Sequence, residues 1–87
     1  MKFTDLQFTN WHELDDRFKV TGFMRAHVKF KNNYGASVIF GPMIHGFELA
    51  VLKNDELCYD SGITEDVIVG LEPDDITELL EKIEELK

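Results

Sequence analysis

The sequence predicts an α+β fold, a small antiparallel β-sheet meander of three to four strands packed by a C-terminal amphipathic α-helix. Short runs of alternating or β-branched residues fill positions 25–59, and apolar residues recur every three or four positions after residue 72. A chain of 87 residues buries only about 60–65% of its unfolded surface, so we expect a single domain over residues 1–87.

The first predicted strand covers residues 25–31, where polar and apolar residues alternate strictly. Its polar positions are Arg25, His27, Lys29 and Lys31. A period of two is typical of a strand with one face in solvent and one face in the core. The turn residues Asn32-Asn33-Tyr34-Gly35 then lead into a second strand over residues 36–40, so we expect the two strands to pair as a hairpin.

The later strands are separated by turn residues. Gly41-Pro42 and Gly46 bracket a loop, a third strand is predicted over residues 47–52, and Asn54-Asp55 turns the chain into a short fourth strand over residues 57–59. Because neighbouring strands in sequence most often pair, an antiparallel meander is the simplest topology.

The strongest helix signal begins after Leu71. Pro73 suits the first helical position, Glu72 stands at the cap, and Leu71 is spaced to pack on Ile76. The apolar face consists of Ile76, Leu79, Leu80, Ile83 and Leu86. The acidic residues between them predict an amphipathic helix that covers the sheet.

Residues 1–22 carry weaker patterns. Phe3, Leu6 and Phe8 fit an extended segment, and Asn10 is placed to cap a short helical turn that ends near Phe18.

Charge is distributed unevenly along the chain, whose formal net charge is −8. Residues 1–53 contain seven Lys/Arg and five Asp/Glu, whereas residues 54–87 contain two and twelve. This acidic balance argues against broad binding to nucleic acid or to an anionic membrane. No apolar stretch is long enough to span a bilayer, residues 1–5 turn polar too early for a signal peptide, and Cys58 is the only cysteine. We therefore expect a cytoplasmic protein without an intrachain disulfide.

Signatures of catalysis and metal binding are weak in this sequence. His12, His27 and His45 lack the spacing of a metal site, and no calcium-binding loop surrounds the carboxylates. Cys58 and Ser37 lack the flanking residues of a nucleophile motif. We expect no catalytic residue, metal or cofactor, and the alternative of a small enzyme centred on His45 requires a cleft that contains it.

Two charged surfaces and one loop are the candidate binding sites. The acidic surface comprises Glu65, Asp66, Asp74, Asp75, Glu78, Glu81 and Glu85. The loop residues are Met43, Ile44 and His45. The basic face comprises Arg25, His27, Lys29, Lys31 and Tyr34, a set that resembles single-stranded nucleic-acid binding faces in combining cations with an aromatic ring.

Four sequence blocks resemble those of small, functionally uncharacterised proteins encoded by phages and prophages of Gram-positive bacteria. The blocks are Tyr34-Gly35-Ala36-Ser37, Glu48-Leu49-Ala50-Val51-Leu52, Cys58-Tyr59-Asp60 and Ile63-Thr64-Glu65-Asp66-Val67-Ile68. The chain departs from that pattern at Phe40, at Ser61-Gly62 and in a shortened loop over residues 43–46. The resemblance implies a setting in a bacterial host cell, and it brings no catalytic residues.

These observations favour a non-enzymatic accessory protein that binds a host or phage protein, for example as an inhibitor of a host defence protein. The acidic helix or the 41–46 loop is its expected contact surface, and a monomer or small homo-oligomer its expected state. The alternative is a nucleic-acid or nucleotide-binding module that uses the basic face.

Overall fold

The computed structural model describes residues 1–10, 23–41, 45–58 and 67–86. The elements are a 3₁₀ turn (Phe3–Asp5), strands β1 (Thr9–Asn10), β2 (Met24–Lys29), β3 (Tyr34–Phe40), β4 (Phe47–Lys53), β5 (Glu56–Leu57) and β6 (Ile68–Leu71), and helix α1 (Pro73–Glu84). Within these ranges, no helix has both the length and the apolar character needed to cross a membrane.

The strands form one antiparallel sheet in the order β1-β2-β3-β4-β5, and β6 also pairs with β4. The predicted α+β fold and meander are therefore confirmed. Strand β4 is central, because β3 occupies one of its edges while β5 and β6 share the other.

Several predicted boundaries need correction. The 3₁₀ turn replaces the extended segment expected from Phe3, and Asn10 pairs with Met24 in β1 instead of capping a helix. The rest of that predicted helical turn lies outside the described residues. Strand β2 ends at Lys29, because residues 31 and 32 already form a turn, and β5 begins one residue earlier than predicted. Strand β6 was not predicted.

The core lies between α1 and one face of the sheet, termed here the helix-facing side. Ile76, Leu80 and Ile83 of α1 are fully buried against it, as are Val38 of β3 and Leu49 of β4. The predicted apolar face of the helix is thus confirmed. Burying each of these aliphatic side chains contributes about 1.5–3 kcal/mol.

Four phenylalanine rings extend this core towards one end of the sheet. Phe3 packs edge-on against Phe47 with centroids 5.0 Å apart, and Phe8 packs against Phe40 at 5.1 Å. Phe40 and Phe47 lie 5.3 Å apart in a similar geometry. These edge-to-face contacts are the favoured arrangement for aromatic rings, and they fasten the N-terminal segment to β3 and β4.

Both ends of α1 are capped by polar groups. At its start, the Asp75 carboxylate accepts a hydrogen bond from the backbone N–H of Glu72 at 2.9 Å, and Pro73 occupies the first turn. At its end, the Asn32 amide donates to the carbonyl oxygens of Ile83 at 3.0 Å and Glu84 at 3.3 Å. The β2–β3 turn thereby satisfies backbone acceptors that a helix end leaves unpaired.

Candidate functional site

The side of the sheet opposite α1, termed here the outer side, carries the predicted basic residues of β2. The strand register pairs Arg25 with Ile39, His27 with Ser37 and Lys29 with Gly35. The same side continues on β4 through Glu48, Ala50 and Leu52, which pair with those three β3 residues. The outer side therefore has small residues in the middle, with cations along β2.

Asp55 lies next to two of these β2 side chains. Its carboxylate oxygens are 3.5 Å from Nε2 of His27 and 3.5 Å from Nζ of Lys29. Asn54 and Asp55 both have positive φ, at 53° and 67°, as a two-residue type I′ hairpin turn requires. The turn between β4 and β5 therefore places the Asp55 carboxylate beside His27 and Lys29 of β2, on the far side of β3. This negative charge partly neutralises the basic face.

Arg25 is held by Ser37. Its Nε donates a hydrogen bond to the Ser37 hydroxyl oxygen at 2.8 Å, and Ser37 is only 6% exposed. A buried hydroxyl with this partner fixes the orientation of the guanidinium plane.

Tyr34 does not belong to the basic face, so that part of the prediction is wrong. Tyr34 is 9% exposed and packs in the core on the helix-facing side, because it shares the parity of Ala36 and Val38 in β3. The ammonium of Lys53 lies 5.3 Å from the Tyr34 ring centroid. Lys31 is exposed in the β2–β3 turn. Without Tyr34, the described residues of the basic face include no aromatic ring on which bases would stack.

The outer side also contains a cavity of about 330 Å³. Its lining residues are Arg25, Ser37, Ile39, Glu48, Ala50, Leu52, Asp55, Leu57 and Val67. Ser37 and Ala50 form a low floor in the middle of the sheet, and longer side chains surround it. Sequence reasoning missed this cavity, although the small residues of β3 and β4 at alternate positions were a signal for it.

Some acidic side chains of α1 form hydrogen bonds or ion pairs within the protein, and others do not. Asp75 caps the start of the helix. The Glu78 carboxylate oxygen Oε1 lies 3.4 Å from Nζ of Lys82, one turn later. Asp74, Glu81 and Glu85 are exposed and form no ion pair with another described residue. Glu65 and Asp66 of the predicted acidic surface lie outside the described residues.

Of the three residues predicted to form a binding loop, the structure describes only His45. Met43 and Ile44 lie outside the described residues, while His45 is exposed in a bend before β4. His45 lines neither the outer-side cavity nor a second, more open cavity beside Met1 and Lys31. Among the described ranges, no group of three or more His, Cys, Asp and Glu side chains is arranged to hold a metal ion.

Comparison of the chain with protein-family models, with curated proteins and with solved structures found no match.

Proposed function

We propose that this protein is a non-enzymatic binding module that contacts a basic protein surface through the acidic, outward face of α1. The observation that carries this proposal is the set of exposed carboxylates of Asp74, Glu81 and Glu85, which have no ion-pair partner among the described residues. Glu81 and Glu85 also lie near the helix C-terminus, where the helix dipole disfavours negative charge. Such a costly arrangement is understandable if a cationic partner covers it.

The partner class that we propose is a host or phage protein in the bacterial cytoplasm, and inhibition of a host defence protein is the proposed role. The resemblance of the sequence blocks to phage proteins supports this setting. An acidic helix face suits that role because it imitates the charge of a nucleic-acid backbone and accelerates association with a cationic surface.

The nucleic-acid alternative has less support. Tyr34 packs in the core, Asp55 lies beside His27 and Lys29, and Ser37 engages Arg25. A binding face of this kind requires several available cations and at least one stacking ring.

The test uses charge reversal at Glu81 and Glu85, because neither side chain forms a hydrogen bond or an ion pair within the described residues, although the backbone of Glu85 forms the C-cap of α1. The double variant Glu81→Lys/Glu85→Lys and the wild type are immobilised and exposed to a lysate of a Gram-positive host. Proteins that are retained by the wild type and identified by mass spectrometry are then purified, and their dissociation constants are measured. We expect the variant to bind at least tenfold more weakly and the wild-type affinity to fall as salt is raised.

A matched control reverses the charge of one exposed carboxylate outside the helix. Glu56→Lys in β5 changes the net charge by the same amount per residue, at an exposed position on a strand that pairs with β4. The single variants Glu81→Lys and Glu85→Lys are therefore each compared with Glu56→Lys. Equal weakening by Glu56→Lys would mean that net charge, not the helix face, governs binding, and unchanged binding of the helix variants would reject the proposed surface.

A further inference from the structure

The cavity on the outer side of the sheet has features of a small-molecule site that are independent of the acidic helix. Its volume of about 330 Å³ falls at the lower end of the range for ligand pockets, roughly 300–1,000 Å³. It is lined by apolar side chains with a few polar groups, which is the usual composition of such sites. Because α1 packs on the other side of the sheet, a ligand here would not compete with a protein bound to the helix.

Arg25 supplies an oriented cation at one side of the cavity. The hydrogen bond from Nε to Ser37 fixes the guanidinium, and its remaining N–H groups make no hydrogen bond to another described residue. A guanidinium held in this way presents donors in a fixed plane, which matches the two oxygens of a carboxylate.

Glu48 supplies a carboxylate at the opposite side. Arg25, Ile39 and Glu48 form one row across β2, β3 and β4, so the backbones of Arg25 and Glu48 are separated by two strand spacings, about 10 Å. The two side chains form no ion pair with each other, and Glu48 has no ion-pair partner among the described residues. Asp55 also lines the cavity, but its carboxylate forms an ion pair with Lys29 and lies 3.5 Å from Nε2 of His27.

Apolar side chains border the space beside this row. Leu52 is buried, and its cross-strand partner Leu57 is 56% exposed, an unusually open position for a leucine. Ile39 lies between the two charged residues in the row. A ligand that covered Leu57 would remove apolar surface from water.

We propose that this cavity binds a small zwitterion with an apolar side chain, namely an apolar α-amino acid or a very short peptide. The ligand carboxylate is bound by Arg25, the ligand ammonium by Glu48, and the side chain packs against Leu52 and Leu57. This assignment matches one cation, one carboxylate and one apolar wall to the three parts of the ligand. A simple anion would leave Glu48 without a partner and next to a like charge.

The test is a titration of the ¹⁵N-labelled protein followed by ¹H–¹⁵N correlation spectra. The probes are L-leucine and L-phenylalanine, and the controls are N-acetyl-L-leucine, which lacks the ammonium, and L-leucinamide, which lacks the carboxylate. We expect saturable shifts for the backbone amides of Ser37, Ile39 and Ala50 with at least one amino acid. Each control ligand should bind at least tenfold more weakly, the loss expected when a charge-assisted hydrogen bond is removed.

Variants separate the roles of the side chains. Arg25→Gln and Glu48→Gln should each weaken binding at least tenfold, and Leu57→Ser, at an exposed position that tolerates change, should weaken it severalfold. Lys31→Gln, which is outside the cavity, is the matched control and should bind as the wild type does. Absence of saturable shifts with both amino acids would overturn the proposal, and so would equal binding of the neutralised ligands or of the Leu57→Ser variant.

Discussion

The side-chain amide of Asn32 donates a hydrogen bond to the backbone carbonyl of Leu86, with 2.7 Å between Nδ2 and that oxygen. The Asn32 side-chain oxygen accepts a hydrogen bond from the backbone N–H of Tyr34 at 3.0 Å. Asn32 thus shapes the β2–β3 turn and also caps the C-terminal end of α1. The helix residues that it contacts lie more than fifty positions later in the sequence. The packing of the helix on the sheet is fixed at this end by a side chain of the sheet.

We expect Asn32→Ala to lower the free energy of unfolding by about 1–3 kcal/mol, because partly buried backbone carbonyls lose their donor. Asn32→Asp keeps the acceptor for Tyr34 but removes the donor and adds a negative charge at the helix C-terminus. It should therefore destabilise the protein at least as much as Asn32→Ala. Urea unfolding followed by circular dichroism measures both, with Lys31→Ala as the neighbouring control, and equal stability of all three variants would contradict the capping role.

Gly35 gives a second prediction, because β2 and β3 approach closely at this residue. A Cβ atom at position 35 would clash with the carbonyl oxygen of Val28 and lie 3.3 Å from the Cα of Lys29. These are backbone atoms, so the two strands would have to separate. We expect Gly35→Ala to lower the free energy of unfolding by about 1–3 kcal/mol, the usual cost of overpacking.

Gly70 provides the control for this substitution. A Cβ there meets nothing within 4 Å, and its positive φ of 69° is a conformation that asparagine tolerates. Gly70→Asn should therefore cost less than Gly35→Ala in the same denaturation experiment. The reverse order would show that crowding at Val28 is not the reason for glycine at position 35.

The fold was largely predictable because its main elements are encoded by local patterns. The alternation from Arg25 onwards gave β2 with its correct solvent side, and the spacing of Ile76, Leu80 and Ile83 gave the buried face of α1. Strand β6 was not predictable in this way. It has four residues, one of them Gly70 with positive φ, and it pairs with β4 through an irregular register.

The candidate sites were less predictable, because they depend on register between distant residues. Turn chemistry alone explained Asp55, but its place beside His27 and Lys29 requires β4 and β5 to fold back across β3. Tyr34 was misplaced because it was assigned to the turn, whereas it is the first residue of β3, on the helix-facing side. The hydrogen bond between the side chains of Arg25 and Ser37 likewise depends on the register of the assembled sheet.

Asp55 supports a third prediction. Asp55→Asn keeps a residue that tolerates positive φ but removes the charge beside His27 and Lys29. Because these ion pairs are exposed, we expect the free energy of unfolding to change by less than about 1 kcal/mol. We also expect no saturable binding of labelled single-stranded DNA or RNA by the wild type or the variant, measured by fluorescence anisotropy at low salt. Binding that strengthens in Asp55→Asn would favour the nucleic-acid alternative.

The core of α1 gives a fourth prediction. Leu80 is completely buried among the residues that join the helix to the sheet. Leu80→Ala should lower the free energy of unfolding by about 2–5 kcal/mol, a large share of the stability of a small domain. Leu57→Ala, at an exposed leucine on the other side of the sheet, should change it by about 0.5 kcal/mol or less. Similar losses for the two variants in urea unfolding would mean that the outer side is as tightly packed as the core.

The last prediction concerns pH and the contact between the Met1 amino group and Glu84, which are 2.9 Å apart. The hydrogen bond to the Glu84 carboxylate is the main reason that the pKa of the Met1 amino group is raised above its ordinary value of 8.0. A raised pKa in the folded state means that the contact stabilises the fold at pH values below about 8 and that this contribution disappears as the pH rises through the raised pKa. In a chain with a free amino group at Met1, Glu84→Gln should therefore be less stable than the wild type near neutral pH, and the difference should shrink as the pH rises above the ordinary pKa of 8.0. Thermal unfolding across this range measures the effect, with Glu85→Gln as the matched control. A difference between Glu84→Gln and the wild type that does not change with pH would show that the Met1 ammonium is not its source.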